Sequence, residues 1–276
     1  MAKIITVMNF KGGVGKTTIT MNLGYCLENY LKHRRVLVID LDPQFNLSQY
    51  LLGYSNYAKA LNCNVPTMFE LFEEGKYNIP IRPTCDYIVN VDKGYNNIGK
   101  LDIICSKLEL YQTMQTATNA CIQLYNKISE IADSYDVILI DCPPTISRVS
   151  EAAFYISDGI LIPIMPEFLC TIGLPLLYES INKFNAQYPN NKVNIIGAVI
   201  NGEDGYSPEG YDAISDIINT CNNFSIPLFQ NRVLYSRSYP KGARLGQPIN
   251  CTPYARYWAV QNFYDFTNEF INATGV

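Results

Sequence analysis

Few folds can accommodate the run Asn9-Phe10-Lys11-Gly12-Gly13-Val14-Gly15-Lys16-Thr17-Thr18 where it stands in this chain. Ahead of it lies the apolar, β-branched stretch Ile4–Val7, which reads as a short buried strand. Behind it, Ile19, Leu23, Leu27, Tyr30 and Leu31 recur at three- and four-residue spacing, which predicts an amphipathic helix over Thr17–Lys32. A glycine-rich turn from strand to helix lets backbone N–H groups point inward around an anion, and the helix N-terminus adds its positive end. The turn therefore reads as a phosphate-binding loop, and it requires a strand–loop–helix unit.

The rest of the chain repeats that unit. Further β-branched runs at Val36–Ile39, Val137–Ile140, Gly159–Ile164 and Val193–Ile200 have the continuous apolarity of strands buried on both faces, as in parallel sheets. Helices are expected near 112–133, 171–187 and 208–222. Strands alternating with helices predict an α/β fold, a doubly wound, mostly parallel sheet flanked by helices. The segment from Gly53 to Lys107, rich in Asn, Tyr and Pro, predicts helix, loop and a further strand near Leu101–Cys105. No repeat, low-complexity tract or linker divides the sequence, so residues 1–276 are expected to form one domain.

Two acidic strand ends belong with the loop. Arg35-Val36-Leu37-Val38-Ile39-Asp40-Leu41-Asp42-Pro43-Gln44 sets two carboxylates just past a buried strand, on the edge where open α/β sheets bind ligands. Val137-Ile138-Leu139-Ile140-Asp141-Cys142-Pro143-Pro144 reads as a Walker B strand whose Asp holds the hydration shell of Mg²⁺. In a P-loop, Lys16 faces the β- and γ-phosphates and Thr17 the Mg²⁺.

The ordinary P-loop pattern would need glycine where Phe10 stands; here Lys11 opens the loop instead. The string Lys11-Gly12-Gly13-Val14-Gly15-Lys16-Thr17-Thr18 is that of the deviant Walker A group, and within it the chain resembles the ParA family of DNA-partitioning ATPases. Asp40-Leu41-Asp42-Pro43-Gln44 matches the family's switch I, and Asp141-Cys142-Pro143-Pro144 its D-x-P-P switch II. Ile162-Pro163-Ile164-Met165-Pro166-Glu167 and Gly242 also follow the pattern, so the likeness spans the chain. The resemblance implies an ATPase that takes ATP and Mg²⁺ as cofactors. It implies nucleotide contacts at Lys11, Gly12, Gly13, Val14, Gly15, Lys16, Thr17 and Thr18, with Asn201 on the adenine base. Thr17, Asp40 and Asp141 would serve the metal, Asp42 would orient or activate the attacking water, and Lys11 and Lys16 would complete the catalytic set. It further implies a homodimer that sandwiches ATP, binds DNA without sequence preference, lets go when a ParB-like partner stimulates hydrolysis, and so segregates a plasmid, chromosome or other cargo. With the P-loop beginning at Asn9, the likeness is to the small ParA type, which has no helix-turn-helix module ahead of it. One stretch departs from the pattern: Phe229-Gln230-Asn231-Arg232-Val233 replaces a Pro-Arg-Asn-Val-type sequence, so the family's DNA-contacting arginine cannot be transferred by position.

Charge bears on the DNA expectation. The net charge of −4 gives no general attraction to nucleic acid or anionic membranes. Yet Ser225 to Tyr264 contains no Asp or Glu while holding Arg232, Arg237, Lys241, Arg244 and Arg256, a candidate phosphate-binding stripe. No apolar run approaches the roughly 18 residues of a membrane span, so a cytoplasmic, nucleoid-associated protein is expected. The 9 cysteines are scattered without a Cys-x-x-Cys pair, and His33 is the only histidine, which argues against zinc, a disulfide framework and a Ser-His-Asp triad. Among other deviant Walker A proteins, MinD ends in a basic amphipathic helix, whereas Val260 to Ile271 has no Lys or Arg. Iron-protein relatives share a cluster through two cysteines in glycine-rich loops, a setting that Cys142 and Cys170 lack. A MinD-like positioning ATPase or a metabolic enzyme of the same superfamily is the alternative.

Overall fold

Buried β-branched runs pair side by side to make the centre of the molecule. The computed structural model describes residues 1–31, 34–91, 99–167, 170–203 and 208–276; Lys32 and His33 lie outside the described residues. Among the described residues there are eight strands: β1 (Lys3–Val7), β2 (Arg35–Asp40), β3 (Ile88–Asn90), β4 (Lys100–Ile104), β5 (Val137–Asp141), β6 (Gly159–Ile164), β7 (Asn194–Glu203) and β8 (Val233–Leu234). They form one sheet in the order β3-β4-β2-β5-β1-β6-β7-β8. Every pairing is parallel except β3 with β4 at one edge. The sheet is therefore doubly wound and mostly parallel, as the alternating pattern requires.

The helices are α1 (Lys16–Tyr25, continued by a π-helical turn over Cys26–Leu31), α2 (Asn46–Leu52), α3 (Tyr54–Asn62), α4 (Met68–Glu73), α5 (Leu110–Thr116), α6 (Ala120–Ile131), α7 (Arg148–Ile156), α8 (Cys170–Gln187), α9 (Pro208–Asn223), α10 (Ser238–Leu245) and α11 (Tyr257–Thr274). Because side chains alternate across a strand, each inner strand feeds two cores. Leu37, Ile39, Ile138, Ile140, Ile160 and Ile162 pack with α4 to α9 on one face. Val36, Val38, Val137, Leu139 and Leu161 pack with α1, α2 and α11 on the other.

Three expectations need correction. The helix expected over 112–133 is two helices, broken where Ala117 turns to an extended ψ of 99° ahead of Asn119. The apolar spacing runs through the break, since Ala117, Ala120 and Leu124 are all buried, so periodicity could not reveal it. Between Gly53 and Lys107 lie α3 and α4 with their own turns, and the edge strand β3, only three residues long, left no alternation to read. Finally, β7 does not end at Ile200: Asn201 and Glu203 pair with Val233 and Leu234 of β8. Register then positions the site: Val7 and Asp40 both lie opposite Asp141, so the ends of β1, β2 and β5 share one edge.

Candidate functional site

At that edge the chain leaving β1 turns through the glycine loop into α1. Gly13 and Gly15 have φ of 78° and 89°, backbone that favours glycine. A Cβ on Gly15 would sit 2.1 Å from the side-chain nitrogen of Asn201, so glycine is needed there on two counts. Val14 is buried, whereas Gly12 and Gly13 are exposed at the mouth of the loop. Gly15 caps α1 with no side-chain cap hydrogen bond, and the first turn carries no acid, which leaves a positive helix end facing the loop.

The loop is braced from behind by Asn9. Its Nδ2 donates to the carbonyl of Pro163 on β6 at 2.7 Å, and its Oδ1 accepts from the Lys11 amide at 3.0 Å. Lys16 is buried and its Nζ donates to the carbonyls of Asn9 and Lys11 at 3.0 and 3.1 Å. Burial holds the Lys16 pKa below its ordinary value, while the carboxylates of Asp141 and Asp42 oppose that fall. Lys11, at the loop mouth, pairs with Glu167 from the segment after β6.

The carboxylates divide into distinct environments. Thr17 Oγ1 donates to Asp141 Oδ2 at 2.6 Å. The other oxygen of Asp141 is buried without a hydrogen-bond partner. Burial, with the Asp40 carboxylate beside it, raises the Asp141 pKa well above the ordinary range, against the Thr17 hydrogen bond and the Lys16 charge. A hydroxyl beside an orphaned carboxylate oxygen fits Mg²⁺, a hard cation that keeps several waters and takes phosphate oxygens as further ligands. Among the described residues no group of three or more His, Cys, Asp or Glu could hold a metal by itself, so phosphate and water would have to supply the rest of the shell.

Asp40 has other partners than the metal expected of it. Its Oδ2 accepts from the Ser48 amide and hydroxyl at 2.9 and 2.7 Å, and its Oδ1 from the Asp42 amide at 3.1 Å. Burial nonetheless pushes its pKa up to about 7. Asp40 thus anchors the loop that carries Asp42. Asp42 is half-buried, and its Oδ1 accepts from the Gln44 amide at 2.9 Å. Thr18 accepts through its carbonyl from Asn22 at 2.8 Å, and Asn201 donates to the Val14 carbonyl at 2.8 Å. The structure thus brings Lys11, Lys16, Thr17, Asp42, Asp141 and Asn201 around one loop. Ser48 and the bracing role of Asn9 left no signal in the sequence, because each acts through a contact made only by folding.

The five basic residues do not behave as one set. Arg232 pairs with Glu203 at 2.8 Å, both partly buried, which offsets its charge and sets it apart from the other four. Arg237, Lys241, Arg244 and Arg256 are exposed. Arg237 already has helical φ and ψ of −63° and −10°, so Arg237, Lys241 and Arg244 follow i, i+4, i+7 spacing on one face of α10.

Comparison with known proteins places these features in context. The family model described as AAA domain matches residues 2–195. The chain is 28% identical to a ParA family protein of Chlamydia trachomatis over 272 residues, covering 98% of this chain and 97% of that one. It is 28% identical to the sporulation initiation inhibitor protein Soj of Bacillus subtilis over 251 residues, covering 90% and 87%. Its fold is similar to that of apo McdA of Cyanothece, with TM-score 0.80 at 20% identity over 98% of this chain and 100% of that one. McdA has also been solved with ATP, at TM-score 0.79.

Proposed function

The chain belongs to the ParA family of P-loop ATPases, and from that premise we propose that it binds ATP with Mg²⁺, dimerises around it, holds DNA without sequence preference in that state, and releases it on hydrolysis. One observation carries the reading: the Thr17 hydroxyl on Asp141, whose second oxygen is orphaned, stands in the glycine loop that also holds buried Lys16. Thr17 and Asp141 would hold Mg²⁺, which would supply positive charge against the phosphates.

The chain's own residues divide the remaining work. Loop amides and Lys16 hold the phosphates, with Lys16 losing its contacts to the Asn9 and Lys11 carbonyls as it turns to them. Asp42 accepts a hydrogen bond from the attacking water and aligns it with the γ-phosphorus. Lys11 leaves Glu167 and reaches the partner subunit's phosphates, stabilising charge as an arginine finger does. Asn201, beside the loop, meets the adenine. The exposed cations of α10 and Arg256 bind DNA phosphates, and a ParB-like partner stimulates turnover. The MinD-like alternative is less well supported, because α11 buries Phe263, Phe266, Phe270 and Ile271 in the core and so leaves no apolar face for a bilayer.

The test is ATP turnover with Mg²⁺ and with excess chelator, together with size-exclusion chromatography in ATP and in ADP. Mg²⁺-dependent phosphate release and a dimer specific to ATP are expected; a monomer in both nucleotides would overturn the sandwich.

A further inference from the structure

The basic surface carries more than charge. Tyr254, Tyr257 and Trp258 are 93%, 80% and 42% exposed, Tyr254 just before Arg256 and the other two in the first turn of α11. Lys241 joins this stretch to the cationic face of α10: its Nζ donates to the Pro253 carbonyl at 3.0 Å and lies 4.8 Å from the centroid of the Tyr254 ring. Tyr254 has a φ of 62°, a left-handed backbone that a tyrosine rarely adopts, and that turn holds its ring out in solvent. Lys241 thus joins the cations of α10 to the Tyr254 ring, with Arg256, Tyr257 and Trp258 next along the chain. The run from Ser225 to Tyr264 contains no Asp or Glu, and the nearest acid on α11, Asp265, is bound by Gln261.

Duplex DNA presents phosphates and hides its bases, so cations alone suffice to hold it. Exposed rings interleaved with cations suit a ligand with flat faces as well as phosphates, which is a strand of unpaired bases. We propose that this surface binds single-stranded DNA, with phosphates on Arg237, Lys241, Arg244 and Arg256 and bases stacked on Tyr254, Tyr257 and Trp258. The proposal rests on the DNA-binding reading of the same face and narrows its ligand. Aromatic and cationic side chains also meet at membrane surfaces. Here the rings are mostly tyrosines with polar tips, and Leu245 is the exposed large aliphatic side chain on α10, so unpaired bases fit better than acyl chains.

Trp258 is the only tryptophan, which makes its fluorescence a direct report from the surface. The experiment titrates the full chain, with ATP and Mg²⁺, using a fluorescein-labelled oligothymidylate of about twenty nucleotides and, separately, a duplex of equal length. Oligothymidylate is expected to bind more tightly than the duplex and to quench Trp258. With four phosphate contacts its log–log salt slope should be about −2.8, from about −0.7 for each. Tyr254→Ala and Tyr257→Ala should each weaken single-strand binding by roughly five-fold or more while changing duplex binding less than twofold, and Tyr254→Phe should bind as the parent does. Duplex binding equal to or tighter than single-strand binding, with Trp258 unquenched, would overturn the proposal and leave the duplex reading in place. Failure of both ligands to bind would overturn the two together. Binding to phosphatidylserine vesicles without binding to either oligonucleotide would assign the surface to membranes and also overturn it.

Discussion

Lys11 and Glu167 form an ion pair at the mouth of the phosphate loop, and a lysine expected to act on a neighbouring subunit must first leave it. Exposed pairs of this kind contribute about 0–1 kcal/mol, small beside the charge of a triphosphate, so the pair can delay the lysine but not hold it. Lys11→Ala should keep nucleotide binding and lose turnover by a factor on the order of 10³ to 10⁵, measured as phosphate release. Glu167→Gln should act in the opposite sense and modestly, raising turnover by no more than about five-fold, the factor that corresponds to about 1 kcal/mol. The carboxylates separate in the same way. Asp42 is half-buried on a loop anchored by Asp40, so Asp42→Ala should leave the nucleotide site intact and trap an ATP-bound dimer on size-exclusion chromatography. Lys16→Ala removes the buried charge that faces the phosphates and should abolish ATP-dependent dimerisation, which isothermal titration with ATP would trace to lost binding.

The helix that carries the basic face is held close to the nucleotide elements. Asn22 of α1 accepts the Ile249 amide at 2.7 Å, in the 3₁₀ turn Ile249–Cys251 that follows α10, and α10 itself packs against α2 after switch I. Movement of α1 or switch I therefore has direct contacts through which to shift the cations, a physical route for nucleotide to act on DNA affinity. Gly242 sets the closeness of this packing, since a Cβ there would lie 2.4 Å from Thr252 Oγ1 and 2.5 Å from the Gln247 carbonyl. Backbone cannot yield as a flexible side chain does, and overpacking costs about 1–3 kcal/mol. Gly242→Ala should lower Tm by several degrees in calorimetry and weaken DNA binding while Mg²⁺-ATP turnover stays within a few-fold.

For the whole molecule, net charge opposes DNA and only its distribution favours it. With the charge of Arg232 offset by Glu203, four cations remain, and counterion release from duplex DNA predicts a log–log salt slope of about −3.6 per subunit. Raising salt from 50 to 200 mM should then weaken duplex binding roughly 150-fold per subunit, equally for unrelated sequences. A dimer doubles the contacts, so ATP should steepen the slope and tighten binding relative to ADP. Fluorescence anisotropy across a salt series measures both, and identical curves in the two nucleotides would remove the switch.

The sequence determined what local chemistry can specify. The buried β-branched runs gave β1, β2, β4, β5, β6 and most of β7 because continuous apolarity has one stable use in a sheet covered on both faces. Glycines 12, 13 and 15 with Lys16 and Thr17 marked the phosphate loop because only that residue set allows inward amides and a left-handed turn. Contacts between residues far apart in the chain were decided by the tertiary structure alone. Asp40 looks in sequence like a second metal carboxylate, and only the fold shows its Oδ2 taken by the Ser48 amide and hydroxyl from α2 and its Oδ1 by the Asp42 amide. Arg232 looks like its four cationic neighbours until the β7–β8 pairing brings Glu203 beside it. The cations of α10 and the ring of Tyr254 lie in an acid-free run of sequence, and they are joined only because Lys241 folds onto the turn at Pro253 and Tyr254. Spacing within a helix or strand is fixed by backbone geometry, whereas which two elements touch depends on how the whole core packs, and that information is spread over every residue in it.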